Sequence, residues 1–108
     1  MARIELAAAV GDDFERILEH LLLHDVRNPA ARLEELIESI DILKRSPMIG
    51  RPLPGGLREL IIGRGSRGYV ALYRYVAESE VVFVLAIRGQ REAGYSRERD
   101  GWSGPGPV

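Results

Sequence analysis

The stretch "FVLAIRGQREAGY" (83–95) runs through five apolar residues and then turns basic at Arg88 and Arg91, with Tyr95 closing it. A guanidinium can hold a carboxylate or a phosphate through two parallel hydrogen bonds, and a phenol can donate or relay a proton. Arg88 and Arg91 could therefore face water, an acidic partner or a phosphate. Other arginines of the same kind are Arg58, Arg64, Arg67 and Arg74. All nine basic residues after position 50 are arginine, and the only lysine in the chain is Lys44. Arginine suits planar, bidentate recognition better than lysine does.

Other chemistries find little support. "GRGSRG" (63–68) matches G-x-G-x-x-G literally, but the dinucleotide version must open a helix and a strand pattern follows here. A protein kinase would need a lysine on the next strand and H-R-D and D-F-G segments, all missing. The segment reads as a hairpin loop whose Arg64 and Arg67 could touch an anion. His20 and His24 stand four apart with no H-E-x-x-H frame and no evident third ligand, so no metal is expected. The serines lie outside any nucleophile elbow, and Glu34, Glu35 and Glu38 read as the wet face of a helix. There is no cysteine, so disulfides and thiolate metal sites are excluded, and no cofactor is expected.

With 108 residues the chain is expected to form one domain over 1–98, with 99–108, including Trp102, as a flexible tail. Net charge is −1, which by itself argues against a nucleic-acid binder. The distribution is uneven: residues 1–50 hold 6 Lys/Arg against 10 Asp/Glu (net −4), and 51–108 hold 9 against 6 (net +3). No stretch approaches the roughly 20 apolar residues that span a membrane, and the N-terminus is a poor signal peptide because Glu5 interrupts it. A soluble, cytoplasmic protein is expected, with no membrane partner.

These side chains need elements to position them. Ile4, Leu6, Ala8 and Val10 alternate with other residues, which predicts a strand over 3–10, broken at Gly11. Asp12 and Glu15 then suggest a capping box for a first helix carrying Phe14, Ile17, Leu18 and Leu21. Asn28 and Pro29 suit the N-cap and first position of a second helix, whose Leu33, Leu36, Ile37, Ile40 and Leu43 follow at spacings of three and four. The Pro- and Gly-rich segment 46–56 reads as loop. Strands are predicted over 57–62, 69–76 and 81–87, the last two joined by a tight turn at 77–80. The order β-α-α-β-β-β implies an α+β fold, with a helical hairpin on one face of a four-stranded sheet.

On the strand 69–76 the tyrosines 69, 73 and 75 share one face, and Val70, Leu72, Arg74 and Val76 share the other. Tyrosines bury large areas, so their face is expected against the helices. That would leave Arg74 among apolar residues on an uncovered face, with Arg88 and Arg91 at its rim. Such a surface suits a protein partner, in particular an amphipathic segment with acidic flanks.

The element order, together with "LRELIIG", "GYVALYRYV" and "VFVLAIRGQREAGY", resembles the RelE/ParE superfamily of toxins from bacterial type II toxin–antitoxin modules, over roughly residues 3–95. The resemblance implies a small RelE/ParE-like fold and a cognate antitoxin as partner, with roles in growth inhibition and plasmid stabilisation. RelE-like members cut messenger RNA in the ribosome, whereas ParE-like members inhibit DNA gyrase without hydrolysis. The nuclease branch carries basic residues on the second strand, an arginine after the Gly-Tyr opening the third, and an arginine and a tyrosine near the C-terminus. Of these, Arg91 and Tyr95 match, while "LRELIIG" has no lysine and the position after Gly68–Tyr69 is Val70. Cleavage by 2′-hydroxyl attack needs a proton acceptor and charge stabilisation at the phosphate. The ParE-like, non-nuclease reading is therefore preferred, with Arg58, Arg64, Arg74, Arg88, Arg91 and Tyr95 as partner-binding residues. In the alternative, a ribosome-dependent mRNA endonuclease, the active set would be Arg91, Tyr95, Arg74 and Arg67. A second alternative is an inactive homologue that only binds antitoxin.

Overall fold

The computed structural model describes residues 1–24, 27–63 and 68–89. Its elements are β1 (Arg3–Leu6), α1 (Ala8–Leu23), α2 (Pro29–Ile40), β2 (Arg51–Pro52), β3 (Leu57–Ile62), β4 (Tyr69–Val76) and β5 (Val81–Gly89). They form an α+β fold in which the sheet order is β1-β5-β4-β3-β2. β1 runs parallel to β5, and the remaining neighbours are antiparallel. The expected tail at 99–108, with Trp102 and the domain limit at 98, lies outside the described residues.

The strand expected over 3–10 ends at Leu6, and α1 begins at Ala8. Ala7 is the N-cap with no side-chain cap bond, so Asp12 and Glu15 do not cap the helix, and Gly11 lies inside it. Two forces explain the shift. Alanines 7–9 favour helix over strand, and extending the helix backwards brings Val10 onto the buried stripe that continues through Ile17 and Leu21. α2 starts as expected. Asn28 adopts a left-handed conformation (φ 55°), and its side chain accepts the Ala31 N–H at 3.4 Å, with Pro29 at the first turn.

The sheet has five strands where four were expected, because Arg51–Pro52 pairs with Arg58–Glu59 inside the predicted loop. Proline lacks an N–H and is tolerated on such an edge. β3 and β4 occupy the predicted ranges. The helices cover one face, and the core there joins Val10, Ile17, Leu21, Leu36, Ile40 and Leu43 to Ala71, Tyr73, Val82, Val84 and Ile87. The tyrosine face of β4 points inward as expected, with Tyr69 and Tyr75 packed against this cluster.

β5 carries a bulge opposite Leu72/Tyr73: Tyr73 pairs with Val84 and Leu72 with Ala86, which leaves Leu85 as the extra residue. The bulge resets the alternation, so Val82, Val84 and Ile87 all reach the helical face. A continuous apolar run is what such a reset requires, since both parities are buried in turn.

Candidate functional site

The face of the sheet away from the helices is built in rows. Leu57, Arg74 and Phe83 form one row, Glu59, Leu72 and Ala86 the next, and Ile61, Val70 and Arg88 a third. The expectation that this face is uncovered fails at its centre, where Val70 is 3% and Leu72 1% exposed within the chain itself. Arg74 remains exposed, next to half-buried Phe83 and Val76. Among the described residues it has no hydrogen-bond or ion-pair partner. Its guanidinium lies over Gly56, where a Cβ would approach Nη1 to 3.1 Å. Gly56 also has a φ of +79°, so a side chain there is disfavoured twice.

Arg88 has a different setting. β1 pairs only with Val81–Val84, so among the described residues no strand flanks the later half of β5 on that side. Ala7 donates its N–H to the Val84 carbonyl at 2.9 Å, and the chain then turns into α1. One and a half turns later Asp13, 4% exposed, takes over the pairing. Its Oδ2 accepts the Ile87 N–H at 2.9 Å, and its Oδ1 accepts from Arg16 and Arg88, each at 2.8 Å. Arg16 and Arg88 in turn donate to the Ile87 carbonyl, both at 3.1 Å. Buried carboxylates need such full pairing. The acidic group that Arg88 faces thus belongs to the chain itself, which leaves its side chain 38% exposed.

A third cluster fixes the loop before β2. The Tyr73 hydroxyl donates to the Pro47 carbonyl at 2.7 Å and accepts the Gly50 N–H at 2.8 Å. Arg58 donates to the carbonyls of Met48 and Gly50, at 3.1 and 2.7 Å. A Cβ on Gly50 would sit 2.6 Å from the Tyr73 ring, so only glycine fits. Burial raises the Tyr73 pKa above its ordinary value, opposed by the Gly50 hydrogen bond and the Arg58 charge. On the other face, buried Glu59 is ion-paired with Arg51 across the β2–β3 ladder.

Of the sequence-predicted residues, Arg58, Arg74 and Arg88 lie within the described part. Arg64, Arg67, Arg91 and Tyr95 lie outside it. Arg74 and Arg88 share a sheet face, while Arg58, opposite Tyr73, belongs to the other. Sequence reasoning missed Asp13, Glu59 and Tyr73 as polar anchors. Asp13 did leave a signal, because it occupies a stripe position between Val10 and Ile17, where an apolar residue is the norm. Among the described residues, no group of three or more His, Asp or Glu gathers to hold a metal. No described helix is long and apolar enough to cross a membrane.

The arrangement therefore offers a cation unpaired among the described residues on a partly apolar sheet face, with a second, internally paired cation at its edge. A guanidinium so placed has the chemistry to take a carboxylate or a phosphate. Over residues 4–94 the sequence matches the family model described as the ParE toxin of the type II toxin–antitoxin system parDE, and the chain belongs to that family. No curated protein sequence matches it. Among solved structures, it is similar to a chain of the chromosomal ParDE system from P. aeruginosa, with a TM-score of 0.67, 19% identity, and coverage of 82% of this chain and 96% of that one. The RelBE2 toxin–antitoxin complex from Mycobacterium tuberculosis gives a TM-score of 0.60 at 21% identity, covering 82% and 98%. The isolated E. coli RelE toxin gives 0.58 at 19% identity, covering 92% and 96%. At these identities the likeness is one of fold: a small RelE/ParE-like architecture.

Proposed function

We propose that this ParE-family chain arrests growth by binding DNA gyrase in the cytoplasm, without hydrolytic chemistry of its own, and that a cognate antitoxin neutralises it. The observation that carries this reading is where the cations stand. The position after Gly68–Tyr69, where the nuclease branch has an arginine, is Val70, and its side chain is buried. β3 has no lysine, and its Arg58 is bonded to two loop carbonyls. Arg88 is paired with Asp13. A phosphate brought to this face would meet Arg74 as the one unpaired cation among the described arginines of the sheet. Losing a single positioned charge-stabilising donor costs roughly 10²–10³ in rate, so a nuclease lacking several would be severely impaired.

The solved relatives from P. aeruginosa, M. tuberculosis and E. coli come from toxin–antitoxin systems, which supports an antitoxin as this chain's partner. The Arg74 surface suits an antitoxin segment that brings a carboxylate flanked by apolar residues.

Induction of the protein without antitoxin should stop growth and accumulate gyrase–DNA cleavage complexes while messages stay intact. Codon-positioned mRNA cuts with normal gyrase supercoiling would replace this reading with the endonuclease one, acting through Arg91, Tyr95, Arg74 and Arg67. Undisturbed growth with antitoxin binding retained would identify an inactive antitoxin-binding homologue.

A further inference from the structure

The chain has only two histidines and no cysteine, and both imidazoles sit together at the end of α1. His20 lies in the last turn of α1 and His24 is its C-cap. Both side chains are exposed, their ring centroids are 4.2 Å apart, and the planes are tilted by 33°. His24 Nδ1 lies 2.9 Å from the His20 carbonyl oxygen. A carbonyl can only accept, so in the neutral imidazole Nδ1 carries the proton and Nε2 has the lone pair. Metal-ligating histidines are commonly fixed in this way, by donating the other ring nitrogen to a backbone carbonyl. The helix C-terminus adds its partial negative charge, which favours a cation there.

We propose that His20 and His24 form a surface site for one divalent first-row transition cation, bound by two imidazole nitrogens and completed by water. Residues four apart on a helix lie on one face, close enough for both rings to reach a common ion. Imidazole selects copper, nickel and zinc over magnesium and calcium, which demand oxygen ligands. The expected order follows the Irving–Williams series, with Cu²⁺ bound most tightly and Zn²⁺ more weakly. A cation held this way clips the last turn of α1 and stabilises the helix end by mass action. The site lies on the helical hairpin, and the inference is independent of which cellular target the toxin has.

The test uses the full chain without a histidine tag, titrated with Cu²⁺ and separately with Zn²⁺ and Mg²⁺, followed by calorimetry and, for copper, by electron paramagnetic resonance. One Cu²⁺ per chain with two nitrogen ligands is expected, Zn²⁺ should bind more weakly, and Mg²⁺ should not bind. His20→Ala and His24→Ala should each weaken Cu²⁺ binding at least about tenfold, and the double variant should lose the nitrogen signature. Circular dichroism checks that these exposed substitutions leave the fold intact. Equal copper affinity in the wild type and the double variant, or a spectrum with a single nitrogen ligand, would overturn the site.

Discussion

Arg74 and Arg88 stand on the same face of the sheet, yet they are different chemical objects. Arg88 has its charge partner in Asp13, whereas Arg74 has none among the described residues. An unpaired guanidinium beside Phe83 and Val76 gives an incoming carboxylate a partly desolvated ion pair, the kind whose disruption is costly. Arg74→Glu should therefore weaken the antitoxin complex more than about tenfold, or ~1.4 kcal/mol. Calorimetry that finds equal affinities for variant and wild type refutes that role. Tyr73 makes a second prediction at this scale. Its hydroxyl holds the loop at Pro47 and Gly50, so Tyr73→Phe should cost about 1–2 kcal/mol at neutral pH by leaving both groups unpaired. Burial raises the folded-state pKa above the 10.0 of an unperturbed tyrosine. The neutral hydroxyl is the form the fold prefers, so its stabilisation is complete below the unfolded pKa and is lost as pH climbs through the folded one. Denaturant midpoints should show the wild type's advantage over Tyr73→Phe intact at neutral pH and shrinking in strongly alkaline buffer. A constant difference across that range would contradict the assignment.

Among the elements, the end of β5 depends on α1. Asp13→Asn keeps the shape of the side chain but removes the charge that pairs with Arg16 and Arg88. Both arginines are partly exposed, which moderates the loss, and a destabilisation of about 2–3 kcal/mol is expected. Urea denaturation measures it, and faster exchange of the Ile87 amide should accompany it; an unchanged midpoint with unchanged exchange would dismiss the anchor. Elements with local causes were legible in the sequence. β3 and β4 alternate visibly, and Asn28–Pro29 is a capping signal that works within four residues. Three features were not. The triplet Ala7–Ala9 leans towards helix, but the alternation of Ile4, Leu6, Ala8 and Val10 masks this, and the burial of Val10 against the core is what fixes the outcome. Arg51–Pro52 has no strand signature and pairs only because Arg58–Glu59 lies beside it. Arg88 looked like a cation awaiting a partner because its carboxylate is 75 positions away. The arginines and the tyrosine face could be read from types and spacing, but their pairing state could not.

At the scale of the whole molecule, β1 closes the sheet. Arg3 pairs with Val81 and Leu6 with Val84, the Ala2 N–H reaches the Lys44 carbonyl at 2.9 Å, and Ala2 is buried. Deleting residues 1–6 would expose the 81–84 edge of a long apolar strand, a template for pairing with other chains. The truncated protein should self-associate, and sedimentation velocity should show species larger than the full-length chain forms at the same concentration. Identical profiles for both proteins would show that β1 does not guard this edge.

The same pairing sets a clock on synthesis. β1 joins a strand that is made 78 residues later, as the match of Arg3 with Val81 implies. At about 5–20 residues per second, β1 waits roughly 4–16 seconds for its partner. A nascent chain stalled anywhere before β5 should stay sensitive to protease, while one released after Gly89 should become resistant. The protein would thus acquire its shape only once β5 has been made, however early β1 was ready.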